Sequence, residues 1–291
     1  MEKIHEPVLK KEIVKYLNPE PNKNFIDCTA GGGGHSFLLL KKVKPKGKVL
    51  SIEFDPVLAK RLKKIDKKNL IVVNDSYRNL EKIIEEKKFK PVSGVLLDIG
   101  MSSWHLKKSK RGFSFQEEEE LDMRYNPEKQ KRTAKVIVNK YPKEDLIGII
   151  EDYGEEKFAE KISKKIIKER KRKEIKTTTD LIEIIKKAVP SFYLHKRIHF
   201  ATRTFQALRI EVNNELGNLK KVLPQTIKVT QPGGRIAVIS FHSLEDRIVK
   251  NFFKNNQKVK VLTKKPITAT KKEIKKNHRA RSAKLRVIKI K

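Results

Sequence analysis

The sequence predicts an α/β protein: a parallel, doubly wound sheet interrupted by an inserted all-helical domain. Three observations predict it. Short apolar runs alternate with helical patterns over the first hundred residues or so. About 130 residues with no comparable strand then follow Asp98. A glycine-rich turn, "TAGGGGHS", comes directly after the first strand pattern.

The elements follow in order. "NFIDCT" reads as a short strand and "HSFLLLKKV" as a helix. "GKVLSIEFD" is a β-rich second strand, and "PVLAKRLKKI" an amphipathic helix with Pro56 in its first turn. "LIVVND", "YRNLEKIIEEKKF" and "SGVLLDIG" complete a β-α-β-α-β-α-β order, which implies parallel strands. A near-continuous apolar strand such as "GVLLDI" fits a sheet covered on both faces.

After Asp98 come charged helical patterns: "PKEDLIGIIEDYG", "EEKFAEKISKKIIKERKRK" and "TTTDLIEIIKKAVP". Thr177 and Asp180 have capping-box spacing for the last. The expected division is 1–109, a helical insertion 110–200, and 201–291 returning to the sheet. "ATRTFQALRIEVNNELGNLKKVLPQTIKVT" reads as one long helix that pauses before Pro224. "RIAVISF" is the fifth strand. "KLRVIKI", after the helix "SLEDRIVKNFFK" and a basic loop, suits an antiparallel edge strand.

The 291 residues give ample material for a core. Lys plus Arg is 69 and Asp plus Glu 35, a formal charge of +34. Such an excess favours a polyanionic partner, nucleic acid first, against the alternative of a simple lysine bias. Cys28 is the only cysteine, which excludes an intrachain disulfide and a Cys-based zinc site. No metal is expected. The start has no apolar leader core, and no run reaches about 18 apolar residues. A soluble, cytoplasmic protein without a membrane partner is expected.

A Gly-rich turn after the first strand of a doubly wound sheet lies where such folds bind nucleotides. Glycines let a backbone approach a ligand, and the next helix offers free N–H groups. A dinucleotide site wants G-x-G-x-x-G; Gly31 and Gly33 fit, but the third position is Ser36. The P-loop Lys-Ser/Thr is also missing. S-adenosylmethionine is the other ligand class, having no phosphate to cradle. Glu53 ends the second strand 19 residues beyond Gly34. It suits a carboxylate bridging two ribose hydroxyls, or is a surface acid. Asp75, Ser76 and Tyr77 end the third strand, where an adenine would be flanked. Asp98 ends the fourth. His35 is either a backbone-satisfied helix-start histidine or a ligand contact.

Several blocks carry a resemblance: "HEPVL" from His5, "DCTAGGGGHS" from Asp27, "LLDIGMSS" from Leu96, "RGFSF" from Arg111 and "LDMR" from Leu121. To these add "ATRTFQALRIEVNNEL" from Ala201, "GGRIAVISFHSLEDRIVK" from Gly233 and "RARSAKLR" from Arg279. Together they resemble the bacterial ribosomal RNA small subunit methyltransferase H family, also called MraW. The resemblance implies a Rossmann-like class I methyltransferase sheet with an inserted helical domain. It implies N4-methylation, from S-adenosyl-L-methionine, of one decoding-centre cytidine in 16S rRNA, within the small ribosomal subunit. A homodimer is left open. Cofactor contacts carry over to Gly33, Gly34, His35, Glu53, Tyr77, Asp98 and His105. The chain departs from the pattern at Glu53, usually Asp, at His105, usually Gln, and at Trp104, usually Pro. "FQEEEELDMR" also lacks the usual Asp-Gly-Pro turn.

Cytosine N4 is a weak nucleophile because its lone pair is delocalised into the ring. The site must align it with the methyl group and place an acceptor on its hydrogens. Asp98, Ser102 and Ser103 are the catalytic candidates. Arg203, Gln206 and Arg209, spaced three apart, present one helix face to RNA or form intrahelical ion pairs. Ser240 and His242 end the fifth strand, as further substrate candidates. The basic segments "KKIIKERKRK" and "KKEIKKNHRARSAKLR" suit RNA backbone. A DNA amino-methyltransferase would carry a Pro-Pro-aromatic motif after the fourth strand, and "DIGMSS" has none.

Overall fold

The computed structural model describes residues 7–291; His5 and Glu6 of the "HEPVL" block lie outside them. The chain forms two compact units, Met1–Ser102 with Leu216–Lys291, and Ser103–Glu215.

The first unit is built on one sheet. Its strands are β1 (Phe25–Asp27), β2 (Val49–Ile52), β3 (Leu70–Val73), β4 (Val92–Asp98), β5 (Thr230–Ser240), β6 (Val259–Val261), β7 (Ile267–Thr268) and β8 (Lys284–Ile290). The order is β3-β2-β1-β4-β5-β8-β6, with β7 also on β8. β1 to β5 are parallel and β8 runs antiparallel to β5. The order therefore reverses between β1 and β4, as the alternation predicts.

Side chains alternate across the sheet. Ile26, Leu50, Val95, Leu97 and Val238 pack on one face, and Phe25, Val49, Leu96, Ala237 and Ile239 on the other. That explains the continuous apolar strands: neither face meets water. The helix Lys10–Leu17 and the helix after the glycines, Gly34–Val43, cover the second face.

Two expectations need correcting here. β8 is antiparallel but not an edge strand, because β6 and β7 pair with its far side. The helix after Ala201 is two helices, Thr202–Asn213 and Glu215–Val229, and it breaks at Asn214 rather than before Pro224. Asn214 takes a left-handed conformation (φ 48°) and its N–H caps the first helix on Ile210 and Glu211 carbonyls. Pro224 sits inside the second helix, where it has no N–H to give to the carbonyl four residues back, that of Lys220.

Between Ser103 and Glu215 the regular structure is helical. Thr177 and Asp180 form the capping box that the spacing predicts. The helices Lys143–Gly154 and Thr202–Asn213 approach closely at Gly154, where a Cβ would stand 2.8 Å from the Arg203 carbonyl. No helix among the described residues is long and apolar enough to cross a membrane.

Buried Asn213 ties this unit together. Its side-chain oxygen accepts from the Tyr125 N–H at 2.9 Å and the Gln130 amide at 3.0 Å. Its amide donates to the Met123 and Arg209 carbonyls at 2.8 and 2.9 Å. All four capacities are spent. Asn213→Ala is expected to lower stability by about 2–4 kcal/mol, since buried partners lose their bonds, and exposed Asn214→Ala by only about 1–2 kcal/mol. Urea denaturation checks the pair; equal losses would remove Asn213 from this role.

Candidate active site

The carboxyl ends of β1, β2 and β4 lie side by side, with Asp27 in register with Ser51 and Leu96. Three acids gather there: Asp27 ends β1, Glu53 follows β2 and Asp98 ends β4. Asp27 and Glu53 are buried, and the Asp98 side chain is only 11% exposed. Buried carboxylates are costly unless hydrogen-bonded, and loop groups supply the donors. Asp27 accepts from the Thr29 N–H at 3.1 Å and the Ser36 hydroxyl at 2.7 Å. The Ser51 hydroxyl in turn donates to Ser36 at 2.7 Å. Glu53 accepts from the Gly31 N–H at 2.6 Å with Oε2 and from the Asp55 N–H at 2.8 Å with Oε1. The Asp98 N–H donates to the Thr29 hydroxyl at 2.6 Å.

Burial pushes the Glu53 carboxyl up to about 7, against the pull of the Asp55 and Gly31 hydrogen bonds. Burial likewise raises Asp27, opposed by His35 and Ser36. It drives the Cys28 thiol well above its ordinary value, with Asp27 adding to the effect. That shift and its burial disfavour a nucleophilic role for Cys28.

His35 stands on the first turn of Gly34–Val43 and is buried. Its Nε2 lies 3.5 Å from Asp98 Oδ2. Neither ring nitrogen, nor Asp98 Oδ1, makes a hydrogen bond. Unsatisfied buried polar atoms are rare and call for a physical reason; here they meet at the switch point.

The glycines have different reasons. Gly31 has φ +53°, and an added Cβ would make only ordinary contacts, Ser102 at 3.7 Å being the nearest. Gly33 has φ +84°, and a Cβ there would stand 2.7 Å from Leu62 and Phe37. At Gly34 a Cβ would stand 2.8 Å from Pro7. The idea that a ligand excludes side chains is therefore corrected at Gly33 and Gly34: the protein's own side chains do so. The Gly33 N–H is also spent, on the Ala30 carbonyl at 2.7 Å.

Tyr77 opens a short turn after β3, half-buried against the sheet core. Asn74 was not anticipated; its amide donates to the Glu53 and Phe54 carbonyls at 2.8 and 3.1 Å, tying β3 to β2. At the end of β5, the Ser240 hydroxyl donates to the Lys284 carbonyl at 3.4 Å. His242 precedes the helix Ser243–Asn255 with Nε2 3.1 Å from Glu245, whose other oxygen accepts the Phe241 N–H at 2.8 Å. Arg279, read as an RNA contact, donates to the Met101 carbonyl in the loop after β4.

The other candidates belong to the second unit. Ser103 begins the helix Ser103–Lys107. His105 is buried among rings, with centroids 5.4 Å from Trp104, 5.1 Å from Phe113 and 5.0 Å from Tyr125. Trp104 and His105, two of the departures from the pattern, are thus packed together. The "FQEEEE" run is fixed by buried Glu119, which accepts the Gly112 N–H at 2.7 Å. Arg203 donates to the Glu155 carbonyl, and Gln206 to the Tyr153 carbonyl at 2.9 Å. Arg209 grips Glu215 with two bonds of 2.9 Å. These polar groups hold the end of Lys143–Gly154 and a carboxylate. In the basic helix, Arg170 donates to the Val138 and Tyr141 carbonyls at 3.2 and 2.7 Å, leaving Lys168 exposed.

The raised Glu53 gives a pH prediction. Folded Glu53 keeps its proton up to about pH 7, against 4.5 for an ordinary glutamate. Its contribution is therefore full below about pH 4.5 and is lost as pH rises through about 7, on the order of 3 kcal/mol. Glu53→Gln is expected to flatten this part of the stability–pH curve. Denaturation at pH values across that window checks it; an unchanged slope contradicts the burial argument.

The chain matches the model of the MraW methylase family over residues 2–291. A ribosomal RNA small subunit methyltransferase H from Sulfurihydrogenibium sp. is 47% identical over 290 residues, covering 97% of this chain and 98% of that protein. The one from Thermosipho melanesiensis is 48% identical over 288 residues, covering 97% and 96%. The crystal structure of an rRNA methylase from Streptococcus thermophilus aligns over 97% of this chain and 93% of that one, with TM-score 0.43 and 9% identity. With its whole length matched, the chain belongs to the MraW methylase family.

Proposed function

We propose that this protein is a cytoplasmic enzyme that transfers a methyl group from S-adenosylmethionine to the exocyclic N4 of one cytidine in 16S ribosomal RNA. The observation that carries the reading is the buried His35–Asp98 pair, with unspent polar atoms beside the Glu53–Gly31 clasp. The names of the relatives supply the substrate class, and the charge of +34 suits it.

The residues fit the cofactor. Glu53 uses one lone pair on each oxygen for backbone amides, which leaves two acceptor positions for two ribose hydroxyls. Gly31 has room at its α-carbon. Tyr77 stands at the end of β3, where the adenine would be flanked. When bound, S-adenosylmethionine supplies an electrophilic methyl group on a sulfonium.

Asp98 does the remaining work. Its carboxylate accepts from the N4 amino group and gains attraction as that nitrogen becomes cationic. The Thr29 hydroxyl fixes the Asp98 backbone, and His35 backs the carboxylate at 3.5 Å, where the departing proton can be shared. Of the two loop serines only Ser102 belongs to this unit, and its Cβ would lie 3.7 Å from a Cβ on Gly31. The Cys28 thiol is buried and burial pushes its titration up, which disfavours attack at a ring carbon through cysteine and favours an exocyclic nitrogen or a hydroxyl.

The test of the reading is mapping methylated cytidines in 16S RNA from cells with and without this protein. An N4-methylcytidine lost on deletion and restored by the gene supports it; an unchanged pattern overturns it. At the residue level, Glu53→Ala is expected to weaken S-adenosylmethionine about 10- to 100-fold, through lost charge-assisted bonds; calorimetry checks it. Asp98→Ala is expected to slow single-turnover methyl transfer to 30S subunits by about 10² to 10³ at saturating cofactor. Asp98→Asn should fall between. A rate for Asp98→Ala within about threefold of wild type would make Asp98 a strand cap and turn attention to Ser240 and His242.

A further inference from the structure

Phe192, in the short helix Ser191–Leu194, is the most exposed large apolar side chain among the described residues, at 57%. A single exposed phenylalanine needs no explanation. This one crowns a built cluster. Its ring meets Phe158 at 6.4 Å between centroids, and Phe158 meets Tyr193 edge-on at 4.9 Å. The base is anchored by buried Glu156, which accepts the Tyr193 hydroxyl at 2.6 Å and the Phe158 N–H at 3.0 Å. Burial, followed by Glu156, pushes the Tyr193 hydroxyl up to about 12, so it stays a donor.

Cations surround the rings. Lys157 Nζ lies 5.0 Å from the Phe158 centroid, 5.6 Å from Phe192 and 5.9 Å from Tyr193. Lys196 lies 5.8 Å from Phe192, and Lys161 5.8 Å from Phe158. The stretch Pro190–Phe200 holds Lys196 and Arg197 and no acidic residue. The occupant that this arrangement fits carries both flat π faces and closely spaced negative charge.

We propose that Phe192 is a stacking platform for an unpaired base of single-stranded RNA, with Lys157 and Lys196 on the flanking phosphates. The inference rests on the reading of the chain as an RNA-modifying enzyme and adds a contact separate from Asp98 and Glu53. Every base has a π face, so the contact supplies affinity with little sequence preference. The lysines supply the salt-dependent part.

The experiment measures binding of a labelled single-stranded RNA, and of an RNA duplex, to the full-length protein across a range of salt. Phe192→Ala is expected to weaken the single strand about tenfold with the salt slope unchanged, to leave the duplex nearly unaffected, and to leave S-adenosylmethionine binding and melting temperature unaltered. Phe192→Trp is expected to restore it. Lys157→Gln with Lys196→Gln should flatten the slope by about 1.4, near 0.7 for each phosphate contact on a single strand. Single-strand binding within twofold of wild type for Phe192→Ala overturns the platform. So does a variant that alters only self-association in sedimentation, which would make the patch a contact between copies. Wild-type protein that binds neither RNA overturns the platform as well, while the enzyme reading is decided separately by the cytidine map in 16S RNA.

Discussion

Everything at the carboxyl edge of the sheet depends on buried carboxylates that accept hydrogen bonds from loop N–H groups. The loops after β1 and β2 cannot complete their own hydrogen bonds, because the strands have ended. Asp27 and Glu53 take the Thr29, Gly31 and Asp55 amides instead. Asp55 repeats the device as the cap of the next helix, accepting from Val57 and Leu58. The glycine turn is held in place by acids in the first two strand ends, and Thr29 extends the hold to Asp98. A ligand entering here meets carboxylates already fixed by the backbone, so little ordering cost is left for binding.

Much of this was legible in the sequence. Strands buried on both faces must be apolar throughout, so β1 to β5 stood out against amphipathic helices. Glu53 and Asp98 were found because acids are conspicuous at the ends of apolar strands. β6 and β7 were missed because "VKV" and "IT" are too short, and too exposed, to carry a pattern. The helix break was assigned to Pro224, the stronger local signal, whereas tertiary packing put it at Asn214.

The site residues divide the same way. The three-residue spacing of Arg203, Gln206 and Arg209 did predict a shared helix. Their partners, the carbonyls of Tyr153 and Glu155 and the carboxylate of Glu215, lie on other elements that spacing cannot reveal. The glycines were read as space for a ligand, but Gly33 faces Phe37 and Leu62 and Gly34 faces Pro7. Asn74 gave no signal, since its role arises only when β2 and β3 lie side by side.

The central claim is that Glu53 is a buried, backbone-clasped carboxylate that becomes a ribose acceptor by ionising. Hydroxyl donors favour the charged form and must pull its titration down. A carbon-13 NMR titration of the Glu53 side-chain carboxyl, with and without S-adenosylmethionine, measures this directly. The account predicts a midpoint near 7 in the free protein that falls by at least about one unit when the cofactor is bound. A midpoint near the ordinary 4.5 in the free protein, unmoved by cofactor, would contradict it.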